Sequence, residues 1–191
     1  LTATVRDDGS SRFKEHWAWF PSFAFAWKAS EENKLKEISW LSDLKLRLGW
    51  GMTGQQDVNN DYAWIPTYTR NQGTGAYYPA DGDGTLNRPD NYTPDLKWET
   101  TTTYNIGLDW GILDQRLTGT VDWYYRKTTD LLDWYDAQVP SSIYNTIFTN
   151  VGTLTNQGVE VALGWDAVRR ENLTWHIDGN FSYNANELVS L

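Results

Sequence analysis

The stretch LKWETTTTYNIGLDWGILDQRLTGTVDWYYRKT, residues Leu96 to Thr128, decides the fold. Its even positions run Trp98, Thr100, Thr102, Tyr104, Ile106, Leu108 and Trp110. The odd positions between them are Lys97, Glu99, Thr101, Thr103, Asn105, Gly107 and Asp109. A period of two sustained this long describes an extended strand with unlike faces. The polar turn Leu113-Asp114-Gln115 follows, and the alternation resumes. Leu117, Gly119, Val121, Trp123 and Tyr125 share one face; Thr118, Thr120, Asp122, Tyr124 and Arg126 share the other. The unit reads as a long β-hairpin. Soluble sandwich strands are mostly about five or six residues long, whereas a strand crossing a bilayer needs roughly 9–11. Tryptophan at or near the strand ends on the apolar face, opposite a polar face, fits the membrane case.

Working outward, five further strands follow the same rule. Leu1 to Val5 reads as a strand tail and Arg6 to Arg12 as a loop. A second strand covers about Trp17 to Lys28, with Pro21 predicting a bulge or a late start. A polar connection with one helical turn near Glu31 to Lys36 precedes a third strand, in which Leu44, Leu46, Leu48, Trp50 and Met52 alternate with Lys45, Arg47, Gly49 and Gly51. The hairpin supplies strands four and five. The sixth runs from about Leu154 to Asp166, and the seventh begins at Leu173. No period survives between Thr53 and Asp95, a loop long enough to be functional. A medium loop spans about Asp130 to Thr149. Connections after strands four and six are short, and those after three and five are longer. Short periplasmic and longer extracellular connections would make strands three, five and seven run outward.

Composition narrows the function classes. The chain has 191 residues, a formal net charge of -9, 12 Trp, 11 Tyr and no Cys. Mean hydropathy is -0.61, which a membrane barrel tolerates because half of each strand faces water. The acidic balance argues against nucleic acid. The lack of cysteine removes a disulfide framework and thiolate metal sites.

Several segments, in this order, carry a family resemblance: LTATVRDDGSSRF, LSDLKLRLGWGMTG, PDLKWETTTTYNIGLDWGILDQRLTGTVDWYYRKTTDLL, NVGTLTNQGVEVALGW and WHIDGNFSYNANELVSL. Together they resemble SusC/RagA-type TonB-dependent outer-membrane transporters. The resemblance implies an all-β, antiparallel transmembrane β-barrel fragment, about seven strands of a barrel of about 22. Residues 1–191 would form part of a single barrel domain, with a long extracellular loop at about 53–95. It implies import of glycans, oligosaccharides or peptides, in the outer membrane of a Gram-negative bacterium, without enzymatic activity or a cofactor. The partners it implies are a SusD-like surface lipoprotein, the TonB complex, outer-membrane lipid and the glycan or peptide substrate. A dimer of transporter–lipoprotein pairs is compatible with it. No plug, TonB box or signal peptide is legible in these residues, so the TonB contact is expected in a region outside them. The rival readings are a passive porin-like or adhesin barrel and a soluble carbohydrate-binding β-sandwich.

Candidate site residues are few. His16 and His176 are the only histidines. His176, Asp178 and Ser182 share one strand face, but the spacing sets Ser182 roughly 20 Å from His176, so a polar lumen wall is the better reading than a hydrolase constellation. Asp81 and Asp83 alternate like the start of a calcium loop, but the later glutamate ligand is missing, which favours a solvated turn. Tryptophans at strand ends read as an interfacial belt. Tyr62, Trp64, Tyr68, Tyr77 and Tyr78 lie in the long loop, where no bilayer requires them. Flat aromatic faces there suit a sugar ring or a partner protein, or the packing of the loop against itself. The loop holds six Asp against two Arg, with no Lys or Glu.

Overall fold

The computed structural model describes residues 1–57, 61–71, 78–79, 86–137 and 145–190. β1 (Thr2–Gly9) and β2 (Trp17–Lys28) lead through a 3-10 turn (Ala29–Glu31) and α1 (Asn33–Lys36) to β3 (Leu41–Gln55). Three short strands follow: β4 (Tyr68–Asn71), β5 (Tyr78–Pro79) and β6 (Leu86–Pro89). Then come β7 (Glu99–Ile112), β8 (Leu117–Thr129), β9 (Leu132–Asp136), β10 (Thr146–Asn150), β11 (Thr153–Arg170) and β12 (Leu173–Ser190). The main sheet has seven strands in the order β1-β2-β3-β7-β8-β11-β12, and each adjacent pair is antiparallel. These are the seven strands expected from the alternation. Strands β4 to β6 form one small sheet of their own, and β9 with β10 another.

Several local readings differ from expectation. β1 continues to Gly9, so the first loop opens later than Arg6. β3 continues to Gln55, so the long excursion opens later than Thr53. That excursion and the medium loop both contain short strands of two to five residues, too brief to display a period. Pro21 causes neither a bulge nor a break. It sits in register with Val5 of β1, and the β2–β3 ladder begins only at Ser22, so no pairing to β3 is interrupted there.

All the main strands except β1 are 12 to 18 residues long, more than the roughly 9–11 that cross a bilayer. Register lines up their apolar positions. Trp27, Leu46, Leu108, Val121, Val161 and Phe181 form one row; Phe25, Leu48, Ile106, Trp123, Val159 and Tyr183 form the next. Phe23, Trp50, Tyr104 and Tyr125 bound these rows on one side. Ile112, Leu117, Trp165 and Ile177 bound them on the other. From Tyr104 to Ile112 the strand advances about 27 Å, or about 21 Å of height at a tilt near 40°. A barrel's apolar band is about 25 Å tall. Ile106 and Leu163 are each 47% exposed and Phe181 is 64% exposed. A continuous bare face of this kind calls for a non-aqueous neighbour.

The opposite face is polar and carries an ionic cluster across β3, β7 and β8. Arg47 of β3 binds Asp109 of β7 through Nε at 2.9 Å and Nη2 at 2.7 Å. Its Nη2 also donates to Asp122 of β8 at 2.9 Å. To reach Asp122 the guanidinium must cross β7, and it does so over Gly107, which sits between Arg47 and Asp122 in the register. A Cβ at Gly107 would lie 2.7 Å from Arg47 Cζ and 2.4 Å from the Asp122 carboxylate. A side chain at 107 would force the guanidinium and the carboxylate to shift from this arrangement. All three charged groups are part-exposed, so the fork geometry, rather than depth of burial, is what makes the cluster count.

The short β7–β8 and β11–β12 turns lie at one end and the longer β3–β7 and β8–β11 connections at the other, as expected. The β2–β3 connection at 29–40 shares the short-turn end and is longer than that rule prefers, and the β1–β2 connection lies at the opposite end. In the tight turn, Leu113, Asp114 and Gln115 all take positive φ, from 54° to 61°. This turn is held by Leu113 N donating to Trp40 O (2.9 Å) and Gln115 N to Ser42 Oγ (3.2 Å). Among the described residues, the fully buried apolar side chains gather at the loop end, apart from Ala29.

The two faces make opposite demands on charge. In the assembled barrel, Leu108→Arg should cost roughly 2–4 kcal/mol at mid-membrane, whereas Asn105→Arg on the other face should cost under about 1 kcal/mol. Denaturant unfolding of the full-length protein from lipid vesicles, with both variants in parallel, checks the difference.

Candidate functional site

At the loop end, three connections fold into one body around Phe13. Phe13 has no exposed surface and packs with Phe20, Ala63, Leu96, Trp98 and Phe148. Its ring stacks on Trp98 with centroids 4.8 Å apart, and Phe20 meets the same indole edge-on at 5.8 Å. These side chains come from the β1–β2 connection, β2, both ends of the β3–β7 excursion and β10. Side chains from all three connections thus share one cluster.

Polar contacts fasten the same body. Trp98 Nε1 donates to Glu15 O at 3.1 Å and Trp64 Nε1 to Ser11 O at 3.0 Å. Arg12 pairs with Asp61 at 2.7 Å and donates to Gln56 O at 3.0 Å. Lys14 pairs with Asp95 at 3.1 Å. Thr93 Oγ1 donates to Phe148 O (2.7 Å) and Asn91 Nδ2 to Thr146 O (2.8 Å). Asn150 accepts from Lys97 N and donates to Lys97 O and Asp130 O. Asp90 accepts from the hydroxyls of Thr67 and Thr69 at 2.9 and 2.8 Å, joining the two ends of the β4–β6 sheet. A cleft of about 390 Å³ opens beside the cluster, lined by Lys14, Trp17, Asp95, Lys97, Trp98 and Asp130 among others.

The aromatic candidates separate on this body. Tyr62 and Tyr68 are each 63% exposed. Trp64 is half-buried, commits its N–H to Ser11 and meets His16 edge-on at 6.1 Å, so loop packing uses most of it. Tyr77, the side chain of Tyr78, Asp81 and Asp83 lie outside the described residues. Trp98, expected in an interfacial belt, is only 8% exposed and belongs to the Phe13 cluster. It lies just before β7 rather than on it, and the partners that bury it come from distant loops. The same holds for Phe13, Phe148 and Asn150, which no local motif marks.

His176 sits near the short-turn end of β12. Its Nδ1 lies 2.5 Å from Asp166 and its Nε2 2.8 Å from Asp178. Ser182 lies opposite Glu160, far along the strand from His176, which lies opposite Asp166. Among the described residues no hydroxyl group bonds this histidine, and the group reads as a cross-strand clamp beside the β11 irregularity at Asp166/Val168.

A bilayer-length antiparallel wall with one lipid-type face, one polar face and an organised loop end defines a segment of a transmembrane β-barrel. The family model described as "TonB dependent receptor-like, beta-barrel" matches residues 1–190, and the chain belongs to that family. It is 43% identical over 193 residues to the TonB-dependent receptor SusC of Bacteroides thetaiotaomicron, covering all of this chain and 19% of that protein. A TonB-dependent receptor of Formosa agariphila is 36% identical over 200 residues, with 18% of it covered. Among solved structures, the RagAB peptide importer matches at 30% identity over 99% of this chain and 20% of that one. The TM-score is 0.84 in its open-open state and 0.83 in its closed-closed state. The chain thus spans about a fifth of the length of these relatives. Its place is the outer membrane of Gram-negative bacteria.

The loop-end body predicts a local weakness. Phe13→Ala should cost about 3–5 kcal/mol of local stability, as large-to-small core changes do. Hydrogen exchange on the full-length protein should then show lost amide protection at residues 93–98 and 146–150, with β7 and β8 unchanged below Tyr104 and Tyr125.

Proposed function

We propose that residues 1–191 are part of a single barrel domain of a TonB-dependent transporter. It imports glycans, oligosaccharides or peptides across the outer membrane together with a SusD-like surface lipoprotein. TonB supplies the energy through a region outside these residues. The chain carries no chemistry of its own; it provides wall and rim.

The observation that carries this reading is the match to an importer over 99% of the chain. That importer is resolved in open-open and closed-closed states, and this wall resembles both equally, with TM-scores of 0.84 and 0.83. Equal likeness supports a stationary frame against which another part moves. The polar face supports a hydrated lumen, and the acidic, aromatic excursion at 53–95 supports a contact zone on the cell-surface side. Tyr62 and Tyr68 are the described side chains best exposed for that contact. The roles of Tyr77 and Tyr78 rest on sequence position, and Trp64 serves chiefly to brace the loop.

Deleting residues 73–90 in the full-length transporter tests the contact zone. Barrel insertion should remain normal while lipoprotein association and substrate uptake both fall. Wild-type levels of both in a normally inserted barrel would reduce the excursion to a cover and remove this role.

A further inference from the structure

The β9–β10 hairpin was read from sequence only as part of a medium loop, yet it is a built element. Five backbone-paired positions, Leu132↔Asn150 through Asp136↔Thr146, define it. Its base is closed by Val151 N to Leu131 O (2.6 Å) and its far end by Ala137 N to Asn145 O (2.7 Å). The barrel grips it from below through Leu132 N to the Glu99 carboxylate at 3.1 Å. Asn91, Thr93, Lys97 and Asn150 fix it laterally. It starts beyond the Thr100↔Thr129 pair, about 14 Å along the strand from the Tyr104 row at ~3.4 Å per residue. It therefore stands clear of the apolar band.

On this braced hairpin Trp134 is 54% exposed and Tyr135 52% exposed. Trp134 leans edge-on against the buried Phe148, with centroids 5.5 Å apart, which holds its ring in place. Along β9, Trp134 shares a face with Asp136 and Tyr135 shares the other with Asp133, while Asp130 precedes the strand. Residues 130–152 contain these three aspartates and no Lys, Arg, His or Glu. Among the described residues no cationic side chain pairs with any of the three. Exposed aromatics held rigid are the usual energetic anchors of a protein interface, because little conformational freedom is lost on binding. Uncompensated carboxylates beside them select the sign of the partner. An arginine or lysine can stack on a ring and pair with a neighbouring carboxylate at once.

We propose that the β9–β10 hairpin is a docking element for a protein whose contacting surface is basic. It is a second contact alongside the 53–95 excursion. Resting on the function proposed above, the structure assigns the basic surface to the lipoprotein that closes over the loop end.

The test uses the full-length transporter and the purified surface lipoprotein, with binding measured at low and high salt. One variant carries Trp134→Ala and Tyr135→Ala; the other carries Asp133→Asn and Asp136→Asn, which keep side-chain shape and leave the Phe148 contact intact. Heat-modifiable gel mobility confirms a folded barrel in each. The aromatic variant should bind at least about tenfold more weakly, as expected for interface anchors. The amide variant should also weaken and should lose part of the salt dependence. Wild-type affinity and salt dependence in both variants would overturn the hairpin role while leaving the transporter reading intact. Unchanged lipoprotein binding with reduced substrate uptake would also overturn it, assigning the hairpin to substrate. If the wild-type transporter fails to bind the lipoprotein at all, the underlying reading falls and the docking role with it.

Discussion

Inside hydrocarbon a backbone N–H or C=O has no water to bond, and each unsatisfied group costs several kcal/mol. The main sheet follows from that constraint. Its strands pair along nearly their whole length, and the side chains then divide strictly between two faces. The apolar rows through Leu108 and Ile106 and the polar row through Arg47 and Asp122 are consequences of one register. A slip of one residue would exchange them and place Arg47 in lipid. The Arg47 bridge over Gly107 opposes such a slip, because it closes only when β3, β7 and β8 are aligned as they are.

Above the membrane the constraint relaxes and a different economy takes over. Water satisfies the backbone there, so the loops need shape rather than ladders. They obtain it from shared burial: Phe13 is seated among side chains from three connections, and main-chain carbonyls of Ser11 and Glu15 receive the indole N–H groups of Trp64 and Trp98. A rim organised in this way can present Tyr62, Tyr68, Trp134 and Tyr135 in fixed relation to one another, which is what a partner or lid requires. A stiff wall beneath and an assembled rim above suit a frame that stays put while something else moves.

The wall was legible in the sequence because period two is a local signal repeated over long strands. The alternation at Tyr104 to Trp110, and its echo at Leu117 to Tyr125, located the paired strands and their faces without further information. Legibility stopped where contacts became non-local. Trp98 continues the apolar phase of β7, yet its partners Phe13 and Phe20 lie some eighty residues earlier in the chain, so it looked like a belt residue. Short strands such as β9 and β10 carry too few residues to show a period. The Arg47 bridge was half legible: Arg47 and Asp122 were assigned to the polar face, but the close approach over Gly107 appears only when three strands are laid side by side. Pro21 misled because a proline's cost depends on whether a neighbour pairs there, and that neighbour is set by the fold.

The central claim is that adjacent residues of β7 face lipid and water in turn. Nitroxide labels placed one at a time at Thr103, Asn105, Ile106, Leu108, Asp109 and Trp110 of the full-length protein in lipid bilayers test it most directly. Oxygen, concentrated in hydrocarbon, should reach the labels at 106, 108 and 110 preferentially. A water-soluble nickel chelate should reach those at 103, 105 and 109. Equal accessibility at neighbouring positions, or the opposite phase, would contradict the two-faced wall on which the rest of the account stands.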